Sequence, residues 1–267
     1  MLSLFTIYIH DAVALFKASI VRFVCKTLNI EMFVIKAYGR VLLTDTLLEY
    51  YCRTGLVCDA EDMMQKLTSK IKKSDVSIDI GANTGITTLW LAQHSNKVYA
   101  FEPEPSNQRQ FQLNIELNSA SNIELVPTAI SNFIGTAKFN VLEGYGHHSL
   151  GNVHTSKRIK VINVKVDTLD NYCSKNKITE IDVLKVDVEG CELEVFKGAK
   201  KLLQQRKINL IIFEVSNILL KQLHKNKLEI FEYLTENGYK VFNLSNKPVK
   251  REDFQNIIQD DLYAIPI

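Results

Sequence analysis

Ser77-Ile-Asp-Ile-Gly-Ala-Asn-Thr-Gly-Ile-Thr-Thr88 decides the fold: an apolar strand ends in Asp79, turns through Gly81 and Gly85, and runs on into a helical pattern. Glycines at such a turn let the backbone take angles that a Cβ forbids and approach a bound ligand closely. The loop lacks the Gly-Lys-Ser/Thr ending that phosphate and magnesium need, and it lacks the G-x-G-x-x-G spacing of dinucleotide binders. Phosphate is therefore not its obvious ligand. A second apolar strand, Val98-Tyr-Ala-Phe-Glu102, puts Glu102 about 20 residues beyond the first glycine, where open α/β folds set a carboxylate against ribose hydroxyls. The ligand of this loop is expected to carry a ribose.

Outward from this stretch the chain reads as βαβ units around a mostly parallel sheet, short β-branched runs alternating with longer helical patterns. Strands are expected at 76–80, 97–101, 122–126, 181–187, 208–214 and 239–243, and helices near 85–94, 106–118, 190–206 and 225–237. Ile208-Asn-Leu-Ile-Ile-Phe213 is nearly all apolar, the mark of a parallel strand buried on both faces. The stretch 134–166 instead alternates in Ala137-Lys-Phe-Asn-Val141 and in Ile159-Lys-Val-Ile-Asn-Val-Lys-Val166, which predicts an antiparallel insertion or edge ribbon. Residues 1–70 carry helical patterning and are expected to form an N-terminal helical extension, leaving 71–267 as the catalytic domain.

Composition narrows the function classes. The 267 residues hold 32 basic and 30 acidic side chains, a net charge of +2, so no strong field draws the protein to nucleic acid. Cys25, Cys52, Cys58, Cys173 and Cys191 are scattered, odd in number and form no CxxC pair, which suits reduced thiols in the cytoplasm and not a disulfide frame or zinc site. Residues 1–30 are apolar, yet His10, Asp11, Lys17, Arg22 and Lys26 interrupt them too often for a membrane-spanning helix or a secretory signal. Packing on the catalytic domain or peripheral contact with a membrane surface is the expectation for that segment.

The third constellation is Ile181-Asp-Val-Leu-Lys-Val-Asp-Val-Glu-Gly190. It places Asp187 and Glu189 at the carboxyl end of a strand neighbouring the first, where ligands sit in open α/β sheets. Either acid could alternatively cap the helix that follows. A divalent ion held by Asp187, Glu189 and Glu214 is a further alternative, though no metal is required. Two histidines, His147 and His148, stand in the glycine-flanked loop Gly144-Tyr-Gly-His-His-Ser-Leu150, and their side chains titrate near neutrality.

Taken in order, Asp79-Ile-Gly-Ala-Asn-Thr-Gly85, Phe101-Glu-Pro-Glu-Pro-Ser-Asn107, Ala129-Ile-Ser131 with Gly135, Ser149-Leu150, Val166-Asp-Thr-Leu-Asp170 and Leu184-Lys-Val-Asp-Val-Glu-Gly190 with Glu192 resemble the FkbM family of S-adenosylmethionine-dependent methyltransferases. The resemblance covers roughly 76–215. It implies a class I methyltransferase fold, Rossmann-like, whose seven-stranded sheet is mostly parallel with an antiparallel end. It also implies S-adenosylmethionine as cofactor, with Asp79, Gly81, Asn83, Gly85, Glu102, Ala129 and Asp187 around it, and a sugar or other small-molecule or glycan hydroxyl as acceptor. A base must then take the acceptor's proton, and Glu189, Asp187, His148 and His147 are the candidates. Two other readings stay open: a cofactor-binding scaffold without catalysis, and a nucleotide-dependent oxidoreductase, from which the dinucleotide fingerprint is missing.

Overall fold

The computed structural model describes residues 33–37, 40–44, 63, 66–67, 74–142, 150 and 158–267. The two histidines of the expected base set, His147 and His148, and residues 1–30 lie outside them. Strands β1 (Phe33–Ala37) and β2 (Arg40–Thr44) form an antiparallel hairpin, Phe33 opposite Thr44 and Ala37 opposite Arg40. This corrects the expected helical extension over 33–44. Val34, Ile35 and Val41 are β-branched and stiff at χ1, a preference that favours the pleated conformation once a partner strand is present. The hairpin belongs to one compact unit, and Glu61–Ile267 forms the other. Within the second unit Met63 and Leu67 are buried against Trp90, Leu91 and Val98, so residues short of position 71 already contribute to its core.

The second unit is built on a seven-stranded sheet. Its strands are β3 (Ser74–Ile80), β4 (Ser95–Phe101), β5 (Ile123–Val126), β9 (Ile181–Val186), β10 (Ile208–Ser216), β11 (Tyr239–Asn243) and β12 (Gln259–Pro266). They lie in the order β11-β12-β10-β9-β3-β4-β5. Neighbours from β10 to β5 are parallel, while β12 runs antiparallel to both β10 and β11. This is the mostly parallel sheet with an antiparallel end that the resemblance implies. All six strands expected from apolar runs are present. β12 was not legible, because Gln259-Asp-Asp opens it and Pro266 closes it, masking the apolar Leu262, Tyr263 and Ala264.

β10 shows why the sheet is central. Ile211, Phe213 and Val215 pack into one buried cluster with Ile78, Ile80, Leu184 and Val186. Leu210 and Ile212 pack into a second on the opposite face with Trp90, Val183 and Tyr263. Successive side chains point to opposite faces, so a strand buried on both reads as one continuous apolar run. The stretch 134–166 forms its own small sheet: β7 (Gly135–Leu142) runs antiparallel to β8 (Arg158–Asp167), and β6 (Ala129–Ile130) pairs parallel on the other side of β8. The antiparallel ribbon expected there is present.

Helices α1 (Ile86–His94) and α2 (Pro105–Leu117) match their expected positions. The second starts where Glu104 accepts the Ser106 and Asn107 amides at 2.6 and 2.8 Å, with Pro105 in the first turn, where its missing N–H costs nothing. The single helix expected over 190–206 is two, Glu192–Gly198 and Lys200–Gln204. The break has a tertiary cause. A Cβ on Gly198 would stand 2.0 Å from the Ser131 carbonyl oxygen, so only glycine lets the first helix press against that strand. Asp170, from the short helix Leu169–Lys175, then accepts the Lys201 and Leu202 amides at 2.8 and 3.1 Å and caps the second.

Candidate active site

The glycine turn, the end of β4 and the end of β9 meet at the carboxyl edge of the sheet. Gly81 and Ala82 donate their amides to Phe101 O at 3.1 and 3.0 Å, and Asp187 donates its own to Ile80 O at 3.0 Å. Gly81 has φ 84 and Gly85 has φ 88. A Cβ on Gly81 would fall 1.8 Å from the Asp187 carbonyl oxygen, and one on Gly85 would fall 2.1 Å from the Phe111 ring. Both glycines are therefore required by protein neighbours as well as by backbone angle, a stricter demand than ligand approach alone. Asn83 is held left-handed at φ 52 between them.

Asp79 is fully buried. Its Oδ2 accepts the Thr88 hydroxyl at 2.6 Å, and its Oδ1 faces Lys185 Nζ at 3.6 Å with no hydrogen-bond donor. Burial pushes its carboxyl above the usual range, with Lys185 and Thr88 working against that push. Lys185 is itself buried and holds Asp187 Oδ2 at 3.1 Å. Burial alone would lower its pKa, but the carboxylates of Asp187 and Asp79 raise it. Neither Lys185 nor Thr88 figured among the expected site residues, although Lys185 stands two residues before Asp187 and so shares its face of the strand.

Glu102 is buried at the end of β4, where its two oxygens accept the Asn83 amide at 2.9 Å and the Glu104 amide at 2.8 Å. It therefore ties the glycine turn to the helix start beyond it. Glu192 does the same for the second turn, accepting the Val188 and Gly190 amides at 3.2 and 3.0 Å on one oxygen while its other oxygen is buried without a hydrogen-bond partner. Lys225 fastens this turn from outside, donating to Gly190 O at 2.9 Å and pairing with Glu194 at 2.7 Å. Within it Glu189 is left-handed at φ 56, a conformation unusual for a residue with a Cβ and found preferentially at functional sites. Ala129, the remaining expected cofactor contact, packs its methyl among Phe139, Val141, Val164 and Val166.

Burial raises both Glu102 and Glu192 from 4.5 to about 7. For a group raised on folding, the native state holds its proton more tightly than the unfolded chain does. The stability contribution is whole below 4.5, declines as pH climbs through 7, and is gone above it. We expect the denaturation midpoint to fall between pH 5 and pH 8, and Glu192→Gln to flatten part of that fall. A variant whose midpoint drops as steeply as wild type would exonerate Glu192.

The row of acids continues along the sheet edge. Glu214, near the end of β10, stands directly opposite Asp261 of β12, and its Oε1 accepts the Gln259 side-chain amide at 2.7 Å. Burial, with Asp187, Glu189 and Asp261 adding to it, pushes its carboxyl up to about 8, against the Gln259 hydrogen bond. Asp187 and Glu189 thus act on Glu214, the three acids that the alternative of a metal site named. Yet among the described residues no three His, Cys, Asp or Glu side chains converge in a way that could hold a metal ion. Asp261 was beyond reach of sequence reasoning, since it lies on the strand that the pattern did not disclose.

Two buried acceptors of the glycine turn, Asp79 Oδ1 and Asn83 Oδ1, accept no hydrogen bond from the described residues, Lys185 Nζ standing 3.6 Å from the first. Buried polar atoms without partners are uncommon and point to a ligand that supplies donors. An ammonium group and sugar hydroxyls would serve both, beside the carboxylate of Glu102.

Known proteins bear on this arrangement. The chain is 29% identical over 157 residues to the hexuronic acid methyltransferase AglP of Haloferax volcanii, which covers 58% of this chain and 62% of that protein. It is 28% identical over 156 residues to the 2-O-methyltransferase NoeI of Sinorhizobium fredii, 52% of this chain and 63% of that one. It thus spans less than two thirds of either relative. Among solved structures, the methyltransferase FkbM of Methylobacillus flagellatus superposes with a TM-score of 0.45 at 16% identity, over 73% of this chain and 44% of that one. Residues 79–241, more than half of the sequence, match the Methyltransferase FkbM domain, and the chain belongs to that family.

Proposed function

We propose that this protein is an S-adenosylmethionine-dependent methyltransferase acting on a hydroxyl of a sugar or other small-molecule or glycan acceptor. The observation that carries the reading is the pair of buried acceptors, Asp79 Oδ1 and Asn83 Oδ1, that accept no hydrogen bond from the described residues, in a turn braced by Glu102. The sugar acceptor is supported by two relatives, one described as acting on hexuronic acid and one as a 2-O-methyltransferase. When bound, the cofactor supplies a methyl group on a cationic sulfonium, ready for in-line displacement.

The chain's own residues then divide the work. Asp79, Gly81, Asn83 and Gly85 form the cofactor turn, Glu102 takes the ribose hydroxyls on lone pairs that the two amides leave over, and Ala129 and Asp187 border the same ligand. Holding two reactants in one geometry is the larger part of catalysis for a displacement of this kind. Glu189, on the left-handed turn after Asp187, takes the hydroxyl proton, and His147 and His148 stand as the alternative bases. Free buried thiols at Cys173 and Cys191 support a reducing, cytoplasmic setting. Peripheral membrane contact through residues 1–30 is carried forward from the sequence as part of this reading. Among the described residues no helix is long and apolar enough to cross a membrane.

Calorimetry tests the cofactor assignment: S-adenosylmethionine and S-adenosylhomocysteine should bind and NAD should not. Glu102→Ala should weaken binding by roughly 1.5–3 kcal/mol, the worth of a charge-assisted hydrogen bond. The structure adds a second cost, because the Asn83 and Glu104 amides lose their acceptor, so a stability loss of about 1–3 kcal/mol should accompany it. Undiminished affinity in a folded Glu102→Ala protein would take Glu102 out of the site.

A further inference from the structure

Strand register sets four carboxyls and one lysine on a single face at the carboxyl edge. Asp79 pairs with Lys185, and Lys185 with Ile212. Two residues further along each strand, on the same face by the two-residue alternation, come Asp187 and Glu214, with Asp261 directly across from Glu214. Ile212 and Tyr263 are buried on this face in one apolar cluster, which floors the row. Lys185 reaches Asp187 at 3.1 Å and Asp79 at 3.6 Å, and Asp261 also acts on its charge. Glu214 is left with an amide from Gln259 as its hydrogen-bond donor and with Asp187, Glu189 and Asp261 as its charged surroundings.

Like charges directly opposite on paired strands destabilise each other, and acids sharing a site do not all ionise together. At the other end of the row the buried Asp79 has Lys185 as its cation, at 3.6 Å. A ligand bearing positive charge offsets the acids gathered around Glu214.

Resting on the methyltransferase reading above, we propose that Glu214 is a catalytic carboxyl switched by the cofactor's charge. It is protonated while the cofactor is absent, it releases that proton to solvent when the cationic sulfonium cofactor lies against the row, and it receives the acceptor's proton during transfer. The balance closes. The acceptor O–H bond breaks and its proton passes by way of Glu189 to a Glu214 oxygen, while the acceptor oxygen bonds the methyl carbon and the methyl–sulfur bond breaks, its electron pair staying on sulfur. The site loses the sulfonium charge and the Glu214 negative charge in the same step, so its net charge is unchanged. The proton that the overall reaction must liberate leaves when the methyl donor binds.

Glu214, raised to about 8, is mostly protonated at pH 7, which makes the release measurable without any acceptor. The experiment is calorimetry of the full chain at pH 7, titrating S-adenosylmethionine and then S-adenosylhomocysteine in phosphate and in Tris, whose different ionisation heats report protons exchanged. The two ligands share their amino and carboxyl groups and differ in the sulfonium, so the difference between them isolates its effect. We expect S-adenosylmethionine to release close to one proton more than S-adenosylhomocysteine, and Glu214→Gln to abolish that excess while still binding both. Asp261→Asn, which removes the opposing carboxylate, should reduce the excess and serves in its own right should Glu214→Gln fail to fold. Equal release for the two ligands in the wild-type chain, or an excess that survives in Glu214→Gln or is undiminished in Asp261→Asn, overturns the switch and leaves the methyltransferase reading standing. No binding of S-adenosylmethionine at all would overturn that reading and the switch with it.

Discussion

Glu189→Gln should lower the turnover of methyl transfer by between about 10²- and 10⁴-fold while leaving cofactor affinity near wild type, since a general base contributes in that range and acts on the acceptor. Glutamine keeps the size of the side chain and removes its charge. The turn has ties of its own in both proteins. Glu192 holds the amides of Val188 and Gly190, and Lys225 holds the carbonyl of Gly190. The left-handed backbone at φ 56 is as costly for glutamine as for glutamate, so the strain at this turn is the same in both. A uronic-acid glycoside is the first acceptor to use, and the readout is S-adenosylhomocysteine formed per enzyme, with a thermal melt on each protein. Wild-type turnover in a normally folded variant would pass the role to His147 or His148.

Lys185→Met should cost the fold about 3–5 kcal/mol at pH 7, because it strips the cation from a buried carboxylate and leaves that charge uncompensated. Asp79 is fully buried, and with Lys185 gone its remaining partner is the Thr88 hydroxyl. Asp187 is over a third exposed on its side chain, so water can compensate it and it adds little to the loss. The defect has a pH signature. Loss of Lys185 raises the folded-state pKa of Asp79 further, so the folded variant is favoured where Asp79 is protonated and loses stability as pH rises. Urea denaturation at pH 5 and pH 7 should therefore show a smaller deficit at pH 5, and Asp79→Asn combined with Lys185→Met should recover part of it. A single variant that loses under 1 kcal/mol at both values would mean that Lys185 is not the counter-charge of Asp79.

Local chemistry made much of this protein legible in one dimension. A parallel strand buried on both faces has to be an apolar run, so Ile208–Phe213 announced the sheet centre. Positive-φ turns require glycine, so Gly81 and Gly85 announced the loop, and an acid about 20 residues on announced Glu102. Asp187 and Glu189 could be placed at a sheet edge because strand ends are marked by where the apolar run stops. What these signals share is that cause and effect lie within a few residues of each other.

The tertiary structure decided whatever depends on partners distant along the chain. Phe33–Ala37 and Arg40–Thr44 pair as strands because each supplies the other's backbone hydrogen bonds, a stabilisation invisible to a helical window. Gly198 interrupts a helix because Ser131 lies against it, and Asp170 caps a helix that begins 30 positions later in the chain. Glu102 and Glu192 proved to be acceptors for backbone amides of their own turns. Lys185 and Asp261 joined the site through strand register, the one across β3 and the other across β10. The residue types at the site were set by the sequence alone. Which carboxyl carries a proton depends on burial and on the charges across neighbouring strands, and those exist only once the sheet has formed.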